Sequence, residues 1–382
     1  MYFGIFLSTS SLLFVFWEPL NYLKYFMVLP SILLIMQRID GGILRFKASD
    51  SVAKFFLLLF AFATISLILT QSKFTAIDAI VYLNIALFSI AASFTTVNVA
   101  RMYWIFLFYF ALWLAQQVRL HGINDTLGSA GIFFNSSSGS VLKFSIISYI
   151  FGLFFIYFLT NKSSKKYLLL AVVGVIITSK RATAVALLLI IIIFYSPEAI
   201  KRIAFNVKTI IAINTSWLIM SLAIASDYFS NLVYETMGIS ASALTLGRNV
   251  IYKAAFDLHS NPWLSFFIGS GEGSTSTHLV KHPDLFYFDG LEKLLLHNEI
   301  LRLYLEGGFP FFIVALILMY PRKPNDLAWS CLLYINIVSF FDNTLIYSLV
   351  WYYLIVIIAS GQHSSAKEDQ LGNKAFYALK KK

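Results

Sequence analysis

Long apolar runs, most of them approaching the length of a helix that crosses a bilayer, alternate with polar breaks along the chain. They fall at residues 3–17, 20–36, 53–70, 77–95, 102–115, 144–160, 167–179, 182–195, 209–225, 299–319, 327–342 and 346–360. A spanning helix needs about 20 predominantly apolar residues. The strict alternation of a lipid-facing barrel strand is absent, which argues against an outer-membrane barrel. The pattern predicts an all-α, polytopic integral membrane protein in which residues 1–382 form a single transmembrane domain of about 12 helices. The first run lacks a basic leader and is soon followed by a second, so it reads as a retained span and not as a signal peptide.

Composition sharpens this picture. Of the 382 residues, 59% are hydrophobic and 13% charged, more apolar side chain than a soluble fold buries. The net charge of +10 raises the question of nucleic acid. Most of the Lys and Arg, however, sit in short loops between apolar runs, as the positive-inside rule expects of a membrane protein. With an even number of spans and both termini cytoplasmic, inner loops and flanks hold Arg38, Arg45, Lys47, Lys54, Arg101, Lys162, Lys165, Lys166, Lys201, Arg202, Lys208, Arg322 and Lys323. A basic cytoplasmic tail, residues 361–382, adds more. Cys331 is the sole cysteine and excludes an intrachain disulfide.

One stretch needs arbitration. Residues 167–195 fit either one long helix or two short ones meeting at Ser179-Lys180-Arg181. A single helix buries two cations mid-membrane and inverts every earlier loop; two spans keep the charge rule and put Lys180 and Arg181 at the outer end. The two-span arrangement is therefore expected, with a turn that dips beneath the outer surface.

The outer face then carries a smaller loop, 116–143, and a large one, 226–298. Within the large loop, residues 247–260 read as a helix ended by Asn261-Pro262. Gly269, Gly271 and Gly273 predict a tight, backbone-exposing turn. A further helix is expected to begin near Gly290 and to run without a break into the tenth span, placing His297 on one face with Lys293, Leu301 and Tyr304. Arg302 lies at helical pairing distance from Glu299 and Glu306.

Arg181, Arg248 and His297 come from three separate segments, all at the outer boundary in this topology. Guanidinium groups stay charged and bind two phosphate oxygens at once, and an imidazole suits proton abstraction from a hydroxyl near neutral pH. Each has a plain alternative: Lys180 and Arg181 as a helix cap, Arg248 as a solvated loop charge, His297 as an interfacial packing residue. Arg302 with Glu299 or Glu306 reads first as a buried ion pair orienting the His297 helix, and Asp342-Asn343 as either a helix terminus or a sugar contact.

Sharper motifs fail. The Gly269/Gly271/Gly273 run lacks the strand and spacing of a dinucleotide site, and His278 and His282 have no third ligand near them for a metal. With no Asp-x-Asp pair and no Walker motif, no metal and no cofactor are expected, and any glycosyl donor is expected to be lipid-linked.

Taken together, Thr178-Ser-Lys-Arg181-Ala, Leu246-Gly-Arg248 followed by Tyr252-Lys-Ala-Ala, Asn261-Pro262 with the Gly269/Gly271 turn, and His297-Asn-Glu299 continuing through Arg302 to Glu306-Gly-Gly resemble the O-antigen ligase/polymerase superfamily. The likeness is specific over residues 178–308 and one of hydropathy elsewhere. Leu-Thr-Leu-Gly-Arg248 and Asp342-Asn343-Thr-Leu, with Tyr347 and Trp351 behind, look more like the polymerase (Wzy-type) branch than the ligase (WaaL-type) branch. Lys180 departs from the pattern, where a small residue is more usual. The resemblance implies a GT-C-like glycosyltransferase of the bacterial inner membrane, its site facing the periplasm beneath the 226–298 loop. It implies undecaprenyl diphosphate-linked oligosaccharides as donor and acceptor, a surrounding of membrane lipids and a chain-length regulator as a protein partner. Arg181, Arg248 and His297 would be catalytic, with Lys180, Tyr252, Glu299, Arg302 and Asp342 as substrate contacts. The alternatives are an O-antigen ligase acting on lipid A-core and a lipid-linked oligosaccharide flippase.

Overall fold

The computed structural model describes residues 28–40, 51–70, 73–94, 102–115, 118, 145–161, 165–178, 180–245, 247–257, 262–281, 296–321 and 325–360. The first expected span, the loop 116–143 apart from residue 118, and the tail 361–382 lie outside these. Among the described residues every regular element is helical. Among the described residues four helices are long and apolar enough to cross a membrane: α2 (Ser51–Thr70), α3 (Lys73–Ser93), α9 (Val207–Ala225) and α15 (Glu299–Met319). Shorter apolar helices accompany them: α1 (Val28–Asp40), α4 (Met102–Ala115), α5 (Ser145–Thr160), α6 (Lys165–Ile177), α7 (Arg181–Tyr195), α16 (Asp326–Ser339) and α17 (Ser348–Ser360). A connector, α8 (Glu198–Ala204), and five short helices of the large loop complete the set: α10 (Asp227–Met237), α11 (Ala241–Thr245), α12 (Arg248–Phe256), α13 (Pro262–Ile268) and α14 (Ser274–Lys281).

Four helix starts follow from a polar side chain placed where the backbone has spare N–H groups. Asn206, Ser226, Asn298 and Asn325 accept from Lys208, Phe229, Leu301 and Ala328 respectively. The core is aromatic, with Phe56 edge-on to Trp351 at 4.7 Å, and Tyr149, Tyr157, Tyr334 and Tyr353 fully buried. Asn214 on α9 and Asn336 on α16 exchange two amide hydrogen bonds at 3.1 and 3.0 Å inside it.

The 167–195 stretch is two helices that run in opposite directions. Near the start of α6, Tyr167 meets Phe158 at the end of α5 at 5.7 Å, so α6 returns along α5. Lys180 pairs with Asp342 beyond the end of α16, whereas Phe205, past the end of α7, stacks on Trp329 near the start of α16. The chain therefore reverses around Lys180, whose backbone is extended.

Two expectations about the large loop are corrected. No helix runs through His297: residues 296–298 are irregular and α15 begins at Glu299. The reason is local. His297 takes a left-handed φ of 53°, and the Asn298 side chain caps Leu301 while its amide donates to Ser221 at 2.8 Å. The proposed shared face with Leu301 and Tyr304 therefore does not exist. The Gly269–Gly273 turn is tight, with positive φ at all three glycines, yet its backbone is docked and not exposed. Pro310 has no N–H for Glu306 O, and a break at Gly308 (φ 76°) frees Leu305 O. Gly271 N and Ser270 N fill these acceptors at 2.8 and 3.0 Å.

Candidate functional site

At one end of the bundle, side chains from four segments meet on a turn after α16. Its centre is Asp342, whose carboxylate is almost fully buried. Oδ2 accepts from the Tyr149 hydroxyl at 2.7 Å and lies 3.1 Å from Lys180 Nζ. Oδ1 accepts from the Tyr347 hydroxyl at 3.1 Å and from the Asn343 backbone at 2.9 Å, and faces His297 Nδ1 at 3.3 Å. Burial by itself raises a carboxyl; here the His297 hydrogen bond, the Lys180 charge and the Tyr149 hydroxyl outweigh it, holding Asp342 well below the usual carboxylate range.

The local chain explains how each partner arrives. The left-handed backbone at His297, a conformation in which His is enriched among non-glycine residues, leaves the ring half-exposed while Nδ1 reaches Asp342. Gly247, at φ 78°, ends the preceding turn so that Arg248 opens α12. The Arg248 guanidinium lies 5.8 Å over the Phe341 ring and donates to Phe341 O at 3.4 Å, one residue from Asp342. Lys180 comes from the reversal between α6 and α7.

Not every expected residue joins this cluster. It is Lys180, not its neighbour Arg181, that reaches Asp342; Arg181 opens α7 with its side chain exposed. Tyr252 is buried on the helix that packs against α9, where burial raises its phenol above the ordinary value, while the Arg248 charge and Asn298 pull it back. Asp342 is enclosed by its protein partners and almost fully buried. Asn343 is fully buried, and its side-chain amide has no hydrogen-bond partner among the described residues.

Glu299 and Arg302 form a second, interior layer. Arg302 Nε lies 2.6 Å from Glu299 Oε1 and 4.0 Å from Glu306 Oε2, the helical pairing expected. Unforeseen partners complete it: the Tyr82 hydroxyl at 2.6 Å, and Asp78 and Glu272 at 3.6 Å each. Asp78 stands just inside a predicted span, a position where a charge itself signals a partner; Glu272 sits among loop glycines and carried no such signal. The two layers are joined. Glu299 Oε2 accepts from Leu345 N at 3.3 Å, which fixes the turn that carries Asp342.

Among the described residues no three His, Cys, Asp or Glu side chains are grouped to hold a metal ion. Chemically, the cluster offers a half-exposed imidazole anchored through Nδ1, beside cations from two other segments. That arrangement suits taking a proton from a hydroxyl next to an anionic group. Comparison of the chain with protein-family models, curated proteins and solved structures returns no match.

Proposed function

We propose that this protein is a membrane glycosyltransferase that polymerises undecaprenyl diphosphate-linked oligosaccharide repeats on the periplasmic side of the bacterial inner membrane, through a bundle of about 12 spans. The observation that carries it is the half-exposed His297 ring, held 3.3 Å from a buried carboxylate, with Arg248 and Lys180 brought to the same turn from distant segments. The motif resemblance over residues 178–308 supplies the substrate class.

In this mechanism His297 Nε2 takes the proton of the acceptor sugar hydroxyl as that oxygen attacks the anomeric carbon of the donor. The carbon–oxygen bond to the diphosphate breaks with inversion. Arg248 and the exposed Arg181 stabilise the departing diphosphate, and the His297 proton is later returned to solvent. Asp342 is a positioning residue: it selects the tautomer with the proton on Nδ1 and balances the imidazolium formed. Lys180 keeps Asp342 ionised and in place.

The test is the surface glycan ladder of a deletion strain carrying each variant. Arg181→Ala, Arg248→Ala and His297→Ala should insert normally and leave lipid A-core bearing a single repeat. Long chains in all three variants would refute the assignment. Bare core with long chains stranded on the lipid carrier would identify a ligase in its place.

A further inference from the structure

The segment 262–281 was expected in the aqueous loop. Its backbone is instead seated against α15 at the level of Leu305 and Glu306, roughly two turns, or about 10 Å, past the head of that helix. On the other side, Glu272 N donates to Ser66 Oγ at 3.0 Å and Thr75 Oγ1 to Glu272 O at 2.7 Å, so the turn lies between α2, α3 and α15. Deeper still, Phe266 of α13 stacks on Phe309 at 5.2 Å. The fit is backbone to backbone. A Cβ on Gly269 would come within 2.2 Å of Glu306 O, and one on Gly308 within 2.7 Å of the Phe267 carbonyl carbon.

While α13 turns Phe266 inward, it turns four large apolar side chains outward: Trp263, Leu264, Phe267 and Ile268, between 57% and 78% exposed. They form one continuous face, since Trp263 and Phe267, Leu264 and Phe267, and Leu264 and Ile268 are three or four residues apart and so neighbours on a helix. Outward apolar side chains also occur on α2, at Ile65, Ile68 and Leu69, and on α15, against which α13 packs, at Val314 and Ile317. Irregular backbone at this depth is tolerable only where protein satisfies it, and here the broken α15 does so.

We propose that residues 262–281 are a re-entrant hairpin and that the outer face of α13 is in contact with the acyl chains of the surrounding lipid. The occupant is lipid and not water or a second protein copy, because α13 packs on α15, a helix long and apolar enough to cross the bilayer, and turns large apolar side chains outward as α15 itself does. The aromatic Trp263 at its start suits the interfacial level. This inference depends on membrane embedding alone and stands apart from the glycosyl transfer proposed above.

Single cysteines test it, because Cys331 is the sole native thiol and Cys331→Ala removes it. In that background, Leu264→Cys and Phe267→Cys are spin-labelled in phosphatidylethanolamine–phosphatidylglycerol vesicles, with the exposed loop position Glu235→Cys as a control. Both α13 labels should collide more with oxygen than with a water-soluble nickel chelate, and the Glu235→Cys label should do the reverse. An impermeant maleimide should react at Leu264→Cys at least roughly tenfold more slowly than at Glu235→Cys, since hydrocarbon suppresses the thiolate. Nickel-dominated collisions or fast labelling at both α13 positions would overturn the proposal. So would spin–spin broadening between copies, which would mean that protein covers this face. Ile268→Cys replaces either variant that fails to insert.

Discussion

Replacing Asp342 with Asn is the most informative single change, because it keeps the shape of the side chain and removes its charge. One oxygen survives, so the Tyr347 and Asn343 hydrogen bonds at 3.1 and 2.9 Å can persist. The new amide NH2 stands where Oδ2 met Tyr149 and the Lys180 ammonium; the Tyr149 hydroxyl can turn to accept from it, but the ammonium is a donor facing a donor. A charge-assisted hydrogen bond contributes about 1.5–3 kcal/mol. Removing one partner of a fully buried ion pair costs about 3–5 kcal/mol. Lys180 is 22% exposed and able to turn to water, so the expected loss is about 2–3 kcal/mol. The sign with pH follows from the depressed Asp342 carboxyl. Its contribution is present above the unfolded value near 4 and fades only as pH falls through the lower folded value. The melting-temperature gap between wild type and Asp342→Asn in detergent should therefore not narrow between about pH 8 and pH 5. A gap that closes in this window would refute the ionised, buried carboxylate. The catalytic side is separable. Chain extension should fall by about 10²- to 10⁴-fold, as when an imidazole loses its orienting carboxylate, and Asp342→Asn with His297→Ala should be no slower than His297→Ala alone. Additive losses would mean that Asp342 does not act through the imidazole.

Further outcomes follow from the second layer and the packing. Arg302→Met leaves Glu299, Glu306, Glu272 and Asp78 without their shared guanidinium and should cost about 3–5 kcal/mol; Arg302→Lys should not restore it, because an ammonium lacks the planar fork. Thermal unfolding in detergent reads both. Gly269→Ala should abolish stable expression, since its φ of 71° and the 2.2 Å approach to Glu306 O leave no room, whereas Gly238→Ala, at φ 67° with open space around it, should cost only about 1 kcal/mol. Asn214→Leu orphans the Asn336 amide and should lose about 1–2 kcal/mol, most of it recovered in the Asn214→Leu/Asn336→Leu double variant.

What could be read from the chain was whatever local spacing encodes. Apolar runs located the long apolar helices to within a few residues but not the short helices α8, α10, α11, α13 and α14, and the cations at Lys180-Arg181 located a chain reversal that hydropathy alone leaves as one long run. Helical spacing gave the Arg302 pairing with Glu299 and Glu306. Contacts between distant segments left no such trace. Nothing near Glu272 announces Tyr82, 190 residues away, and nothing near Tyr149 announces Asp342, 193 residues away. The start of α15 was misplaced because Asn298 is an ordinary polar residue until its cap to Leu301 and its bond to Ser221 are seen. The glycine run was correctly a turn, but only the gap left by Pro310 shows what that turn is for.

The most direct measurement is chain extension by the purified protein in liposomes supplied with a lipid diphosphate-linked oligosaccharide repeat, without metal or nucleotide, resolved by product length. Wild type should yield a ladder of longer glycans and free lipid diphosphate, and His297→Ala should yield neither while unfolding at the wild-type temperature. Ladders of equal length from both proteins would contradict the account.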